Sequence, residues 1–437
     1  MGLRPKLVMV LREILSKVRR YALPVILLAS FAASPVFAQD GNAGCLVCHS
    51  APGLSKKLPD GRVLNLHVDE DSFRQSIHGQ RFCTDCHADP GMKVFPHKQP
   101  VSQVKCAKCH FKGNAMGAPT FGPISVYTDS VHGKAVERSD PDAPRCKDCH
   151  GTHDIRRPDD PKSTVNRKNV PATCARCHAD LKLAKRHSIP AVSSYEVYKN
   201  SVHAKTVNSK GPASVCVDCH GAHDIKSAAD PMSSVNRQNI PTTCGKCHPA
   251  ILMEYRQGIH SRAMARGVKD APVCTSCHGE HNIQKHTDRN STVYPTHVVA
   301  TCSKCHEDRR IQREYGLPPN RLGTYSSSYH GIANKFGEPT VANCSTCHGS
   351  HLILPSADPK SSVSKANLPH TCSKCHPGAT DNFAKGTVHA VPSAKHDAVL
   401  FWVGLAYKFF IVGMISSFVG YIMLDLISRF RRRSRRA

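Results

Sequence analysis

The pentapeptide C-x-x-C-H recurs eleven times in this 437-residue chain, and no other feature limits its fold as strongly. The eleven cysteine pairs are Cys45 and Cys48, Cys83 and Cys86, Cys106 and Cys109, Cys146 and Cys149, Cys174 and Cys177, Cys216 and Cys219, Cys244 and Cys247, Cys274 and Cys277, Cys302 and Cys305, Cys344 and Cys347, and Cys372 and Cys375. The histidines that close them are His49, His87, His110, His150, His178, His220, His248, His278, His306, His348 and His376. All 22 cysteines are used, so none remains for a disulfide, a zinc site or a nucleophile. A zinc ribbon or a redox thiol pair needs C-x-x-C but not a histidine directly after every pair. The full motif supplies two thioethers to the vinyl groups of a haem and one imidazole to its iron, which predicts eleven covalently bound c-type haems.

Aromatic residues make up 6% of the chain and there is a single Trp, too little for a conventional side-chain core at this length. The haems are expected to replace it. Gly and Pro are frequent and apolar periodicity is poor. The expected fold is therefore mainly α and irregular: short helices on or after the motifs, little sheet, a haem-packed core built from two-haem repeats, and one C-terminal transmembrane helix. The formal charge of +26 raises the question of nucleic acid. Much of it lies at the two termini, and two propionates on each of eleven haems add about 22 negative charges. The basic residues read as propionate partners and solvated surface, and no nucleic-acid partner is expected.

Residues 1–38 read as a signal peptide: a basic stretch ending at Arg19 and Arg20, an apolar run from Tyr21 to Phe37, and a small-residue cleavage site after Ala38. An uncleaved anchor is the alternative, and the haem region is exported in both cases. Residues 39–124 form an N-terminal three-haem region, with the additional histidines His67, His78 and His97.

From 125 to 380 the chain repeats itself four times, giving eight haems. Each repeat opens on a Tyr-rich segment ending in a histidine: His132, His203, His260 or His330. Then comes C-x-x-C-H-G-x-H, which adds His153, His223, His281 or His351. A linker follows, Asp-Pro-x-Ser-x-Val-x-x-x-Asn in three of the repeats, and leads to the second motif. The first cysteines of the two motifs are 28 residues apart in every repeat, which predicts one rigid two-haem module used four times. Residues 73–110 resemble a shortened fifth copy, with 23 residues between the corresponding cysteines.

Residues 381–398 read as a juxtamembrane linker, 399–427 as a transmembrane helix and 428–437 as a basic cytoplasmic tail. Tyr407 to Ile427 suffices to cross a bilayer, which leaves Val399 to Ala406, with Trp402, as an interfacial turn. The arginine-rich end places the haem domain in the periplasm and the anchor in the inner membrane.

A haem held by one motif histidine has an open sixth position, which the protein either fills or leaves to a substrate. The eleven extra histidines in register with the motifs, His67, His78, His97, His132, His153, His203, His223, His260, His281, His330 and His351, match the eleven irons one for one. Six more remain: His187, His286, His297, His370, His389 and His396. Among them His389, in a segment that echoes the start of a repeat, and His187 are further candidates. Spacing leaves open which histidine faces which iron, because a distal ligand can come from a neighbouring repeat.

Over residues 45–380 the Ser-x-His and C-x-x-C-H-G-x-H register resembles the multihaem c-type cytochromes of anaerobically respiring bacteria, especially the cytochrome c3-like group. The C-terminal helix, with Tyr407-Lys408-Phe409 and a basic end, is similar to the joint at which relatives continue into a di-haem cytochrome b. That resemblance implies a membrane cytochrome b or other quinone-linked partner, with periplasmic or outer-membrane cytochromes as further partners. The leading expectation is an electron-transfer protein without a catalytic residue. The alternative is a multihaem oxidoreductase with one open-site haem, at Cys45, acting on a small nitrogen or sulfur compound.

Overall fold

The computed structural model describes residues 41–435 except 59–60, 62, 94–96, 98–101, 116–117, 119–122, 190–193, 208–212, 387–388, 390–392 and 396–397. The expected signal peptide lies outside the described residues. Short helices dominate, as the Gly- and Pro-rich sequence predicts. Among the described residues there is one sheet, the antiparallel pair β1 (Ser55–Lys57) and β2 (Val63–Asn65), with Lys56 opposite Leu64.

The interior is not that of an ordinary domain. Thirteen apolar residues are buried against fourteen polar ones among the described residues, and the largest fully buried side chains are only Val215, Ser130, Ser201 and Ser361. A core so poor in large aliphatic side chains cannot supply the burial that normally offsets chain entropy. The polypeptide is instead held in shape by hydrogen bonds that recur from repeat to repeat.

Three of the four repeats begin with a helix capped by a serine side chain. Ser130 accepts from the Gly133 N–H at 3.0 Å and starts the helix Val131–Glu137, whose second residue is His132. Ser201 and Ser328 do the same for His203 and His330, through Ala204 and Gly331. A side-chain oxygen at this position satisfies an N–H that the helix itself cannot. A tyrosine just upstream then ties the helix to the first motif. The Tyr198, Tyr255 and Tyr325 hydroxyls donate to the carbonyls of Ser214, Pro272 and Ala342, each at 2.9 Å, and Tyr127 donates to Pro144. Burial pushes the Tyr255 and Tyr325 hydroxyls up to about 12, so they remain donors at physiological pH.

The linker between the two motifs is bolted to the first. Thr164, Thr292 and Ser362 donate to the carbonyls of Cys149, Cys277 and Cys347 at 2.6, 2.5 and 2.5 Å, and Ser234 donates to Cys219. The terminal Asn of the linker closes the turn, as in the Asn169 amide to the Ser163 carbonyl at 2.8 Å. In the third repeat His297 occupies that position, and its Nδ1 donates to Ser291 at 2.8 Å. One of the surplus histidines therefore has a structural task.

The chain divides into two compact units, Met1–Ile189 with Gly221–Ile225, and Pro190–His220 with Lys226–Ala437. The segment Gly221–Ile225 belongs to the first unit although both its sequence neighbours belong to the second.

The last element is a continuous helix, Ala398–Ser434, long and apolar enough to cross a membrane. It corrects two expectations. Val399 to Ala406 are helical rather than an interfacial turn, since no proline or capping residue interrupts them, and the helix continues past Ile427 through Arg431, Arg432 and Arg433. Arginine is a good helix former and is favoured near a helix C-terminus by the macrodipole, and Asp425 pairs with Arg429 at 2.8 Å one turn on.

Candidate haem centres

The motif adopts one local geometry in the front half of every repeat. Cys146–His150, Cys216–His220, Cys274–His278 and Cys344–His348 are five-residue helices, which put the two cysteines and the histidine at i, i+3 and i+4 on one face. The second variable residue of the motif makes so short a helix possible. Asp148 accepts from the Arg145 N–H at 2.7 Å, Asp218 from Val215 at 2.7 Å, Ser276 from Val273 at 3.1 Å and Thr346 from Asn343 at 3.2 Å. These bonds are one half of a capping box. The glycine after the histidine ends the helix at positive φ, 89° for Gly151, 80° for Gly221, 78° for Gly279 and 82° for Gly349, and turns the chain so that a further histidine follows.

Eleven pairs of histidine rings face one another among the described residues, and each pair contains one motif histidine. Their centroids are 5.9 Å apart at the closest, His150 with His223, and 6.5 Å at the widest, His203 with His248. Two imidazoles on opposite sides of one metal ion, each bonded at about 2 Å with its ring centre roughly 1 Å beyond the nitrogen, stand about 6 Å apart. The observed spacing therefore leaves room for one iron between each pair, and the residues present fit a haem at every motif.

The pairs follow two rules. The histidine that opens a repeat faces the second motif of the same repeat: His132 with His178, His203 with His248, His260 with His306 and His330 with His376. The short copy obeys the same rule through His78 and His110. The histidine of C-x-x-C-H-G-x-H instead faces the first motif of the preceding copy: His153 with His87, His223 with His150, His281 with His220 and His351 with His278. Two residues past each of these strap histidines, a backbone carbonyl locks the strap down. Ile155, Ile225, Ile283 and Ile353 accept from the N–H groups of Ile77, Val131, Val202 and Ile259, at 2.9, 2.8, 2.8 and 2.7 Å. This explains why Gly221–Ile225 is part of the first unit: it carries His223.

Two pairs fall outside the repeats. His97 faces His49 at 6.4 Å, and His49 Nδ1 bonds to the Leu66 carbonyl at 2.7 Å, which fixes its ring. His389 faces His348 at 6.3 Å, with the Thr324 hydroxyl 3.0 Å from its Nδ1. The census thus differs from the sequence expectation at one position. His67 is not among the paired rings, because His97 already faces His49, and His389 takes the place left after the last repeat. His187 is engaged elsewhere: its Nε2 lies 2.8 Å from Asp142, its Nδ1 3.3 Å from Asp140, and Arg186 joins Asp142 at 2.8 Å. In the third repeat the equivalent clasp is Asp270 with Arg310 at 2.8 Å and Tyr315 at 2.9 Å. His187 and Tyr315 each lie nine residues after a motif histidine. The signal that separates His389 from His67 is a tripeptide: His-x-Ile in four straps, and His389-Ala390-Val391 after the last repeat.

The setting suits neutral imidazoles. Burial is the main cause that pushes His87, His132, His178, His203 and His306 below the ordinary histidine range, and it pushes His260 down to about 4. A deprotonated ring nitrogen is what iron requires. Neighbouring centres also meet at the joints between copies. At three of these joints a thiol of one copy interacts with a thiol of the next: Cys106 with Cys146, Cys244 with Cys274, and Cys302 with Cys344. His150, His278 and His348 are held down by burial and further by repulsion from His110, His248 and His306 across the same joints.

A "Cytochrome c-type protein NrfB" of Haemophilus influenzae is 26% identical over 171 residues, 34% of this chain and 70% of that protein. The chain has weak homology to this multihaem c-type cytochrome. A second protein of the same name, from Escherichia coli, is 26% identical over 111 residues, 23% of this chain and 56% of that protein. The match to this second cytochrome covers little more than half its length. No family model and no solved structure matches the chain. The cytochrome relationship and the cysteine pairs together support covalently bound haem.

Proposed function

We propose that this cytochrome is a membrane-anchored undecahaem electron carrier that connects a quinone-linked membrane partner to periplasmic or outer-membrane acceptors in anaerobic respiration. The observation that carries this reading is the pairing of all eleven motif histidines with a second imidazole. In this reading the 22 motif cysteines hold eleven haems, the motif histidines bind the proximal side of each iron, and His78, His97, His132, His153, His203, His223, His260, His281, His330, His351 and His389 bind the distal side. A six-coordinate bis-histidine haem supplies one-electron exchange with little structural change. The facing imidazoles occupy both sides of each centre in this reading, leaving no position for a substrate. The thiol contacts at three of the joints bring attachment points of neighbouring centres together, which suits stepwise transfer between them.

The helix Ala398–Ser434 is the anchor in this reading, with its arginine-rich end on the cytoplasmic side. Electron paramagnetic resonance of the oxidised full-length protein is expected to show low-spin haem only, with eleven haems per chain by pyridine haemochrome assay. A stoichiometric high-spin signal that shifts with nitrite, hydroxylamine or a sulfur oxyanion would favour an oxidoreductase instead. Purification in mild detergent should bring down a quinone-linked membrane subunit.

A further inference from the structure

Four of the straps come from the next copy of the module. The fifth, His389, has no repeat behind it and lies nine residues before Ala398, where the membrane-length helix begins. Nine extended residues reach at most about 32 Å. The segment expected to be a plain linker thus carries a facing imidazole for His348, held by Thr324, which is 6% exposed. No other paired histidine is tied to the anchor by so short a stretch of chain.

The same repeat differs from the others in its surface. On and just after the helix Tyr329–Lys335, Tyr329, Ile332 and Phe336 fall at i, i+3 and i+7 and are 82%, 47% and 85% exposed. The first repeat has Val131 at the Tyr329 position, 38% exposed. Arg138 and Arg266 stand at the Phe336 position in the first and third repeats. An aromatic stripe on the repeat that leads into a membrane helix suits the headgroup layer of a bilayer, where amphipathic rings accumulate.

We infer that the centre formed by Cys344, Cys347, His348 and His389 is where this cytochrome exchanges electrons with its membrane, the juxtamembrane segment serving as the last strap. The inference rests on the reading of the chain as an electron carrier. A membrane hydroquinone oxidised at a partner releases two protons and two electrons; the electrons pass one at a time into this centre, each converting ferric to ferrous iron, before moving on.

The test uses the full-length protein in phospholipid nanodiscs, with a lipid-anchored ruthenium photoreductant and a sacrificial aliphatic amine as the electron source. His389→Met and His97→Met each replace one facing imidazole, at the two ends of the sequence. Methionine ligation raises the potential of the iron and marks it with its own ferric absorption band, so each variant carries one labelled electron trap. The band is expected to bleach several-fold faster after the flash in His389→Met than in His97→Met. Equal rates, or the reverse order, would overturn the inference. A folded His389→Met protein that keeps all its haems bis-histidine would also overturn it, while leaving the carrier reading intact. That reading fails separately, if the wild-type protein shows high-spin haem. Should His389→Met not fold, His389→Gly with and without added imidazole replaces it. One haem turning high-spin and restored by imidazole supports the strap; no change refutes it.

Discussion

The two motifs of each repeat carry the same five-letter chemistry in different physical settings. The front motif sits on a five-residue helix that depends on an Asp, Ser or Thr inside the motif for its cap, and it meets a histidine from the following copy. The back motif of the first and third repeats ends a longer helix, Val170–His178 or Val298–His306, and meets the histidine that opens its own repeat. Its second variable residue is Arg176, Lys246, Lys304 or Lys374, with no capping role to fill. The back pair therefore makes a repeat a unit, and the front pair makes the repeats a chain. A module that completed both its sites internally would have no reason to bind its neighbour; one that completed neither would not hold together alone.

Removing the strap is the strongest way to break this comparison. His223→Ala is expected to turn one haem high-spin, and the haem affected should be the one at Cys146 in the preceding repeat rather than the one at Cys216 beside the substitution. His132→Ala should instead affect Cys174, in its own repeat. Magnetic circular dichroism with selective isotope labelling of the motif histidines distinguishes the two. If both variants alter a haem of their own repeat, the front and back rules collapse into one.

Acid probes the back pair. Burial, with repulsion from His306, sets His260 at about 4 against an ordinary value near 6.5. Between those values the unfolded chain carries a proton that the folded chain does not. The stability from this site is thus full above about pH 6.5, falls by about 3 kcal/mol as the pH drops to about 4, and falls no further below. Iron on the same ring would extend the loss to lower pH. Proton uptake on denaturant unfolding in weak buffer measures it directly, and a stability flat across that range contradicts it.

The front turn offers a finer test. Gly151 has φ 89° and ψ −177°, a region that only glycine adopts readily, and an added Cβ would lie 2.6 Å from Asp154 Oδ1. Gly279 shares the backbone, with φ 78° and ψ −175°, but has nothing within 4 Å of that position. Alanine should cost about 1–3 kcal/mol at either site through strain, and more at Gly151 because Asp154 must move. Unfolding curves of the two variants rank them. The smallest effect belongs to the caps. Asp148→Ala in a front motif should cost about 1 kcal/mol, and Lys304→Ala in a back motif less than about 0.5 kcal/mol.

Much of the site was legible before the structure. Cysteine count, motif spacing and the number of surplus histidines point to haem attachment and to a two-haem repeat, because covalent attachment demands a fixed local sequence. The long apolar C-terminal helix was legible as well, since hydropathy is additive along a helix. The facing histidines were harder to read. His67 and His389 look alike as isolated letters, and only the fold shows that His97 stands across from His49 and His389 across from His348. His187 reads as a spare ligand until its hydrogen bond to Asp142 appears.

What the sequence determined by itself is therefore everything that depends on neighbours within a few residues: the cysteine pairs with a histidine beside each, the short helices that present them, and the long apolar C-terminal helix. The tertiary structure alone decided which imidazole stands opposite which. That choice depends on pairings such as His150 with His223 or His348 with His389, each held by backbone bonds or side-chain contacts between segments far apart in the chain, and no local spacing encodes them.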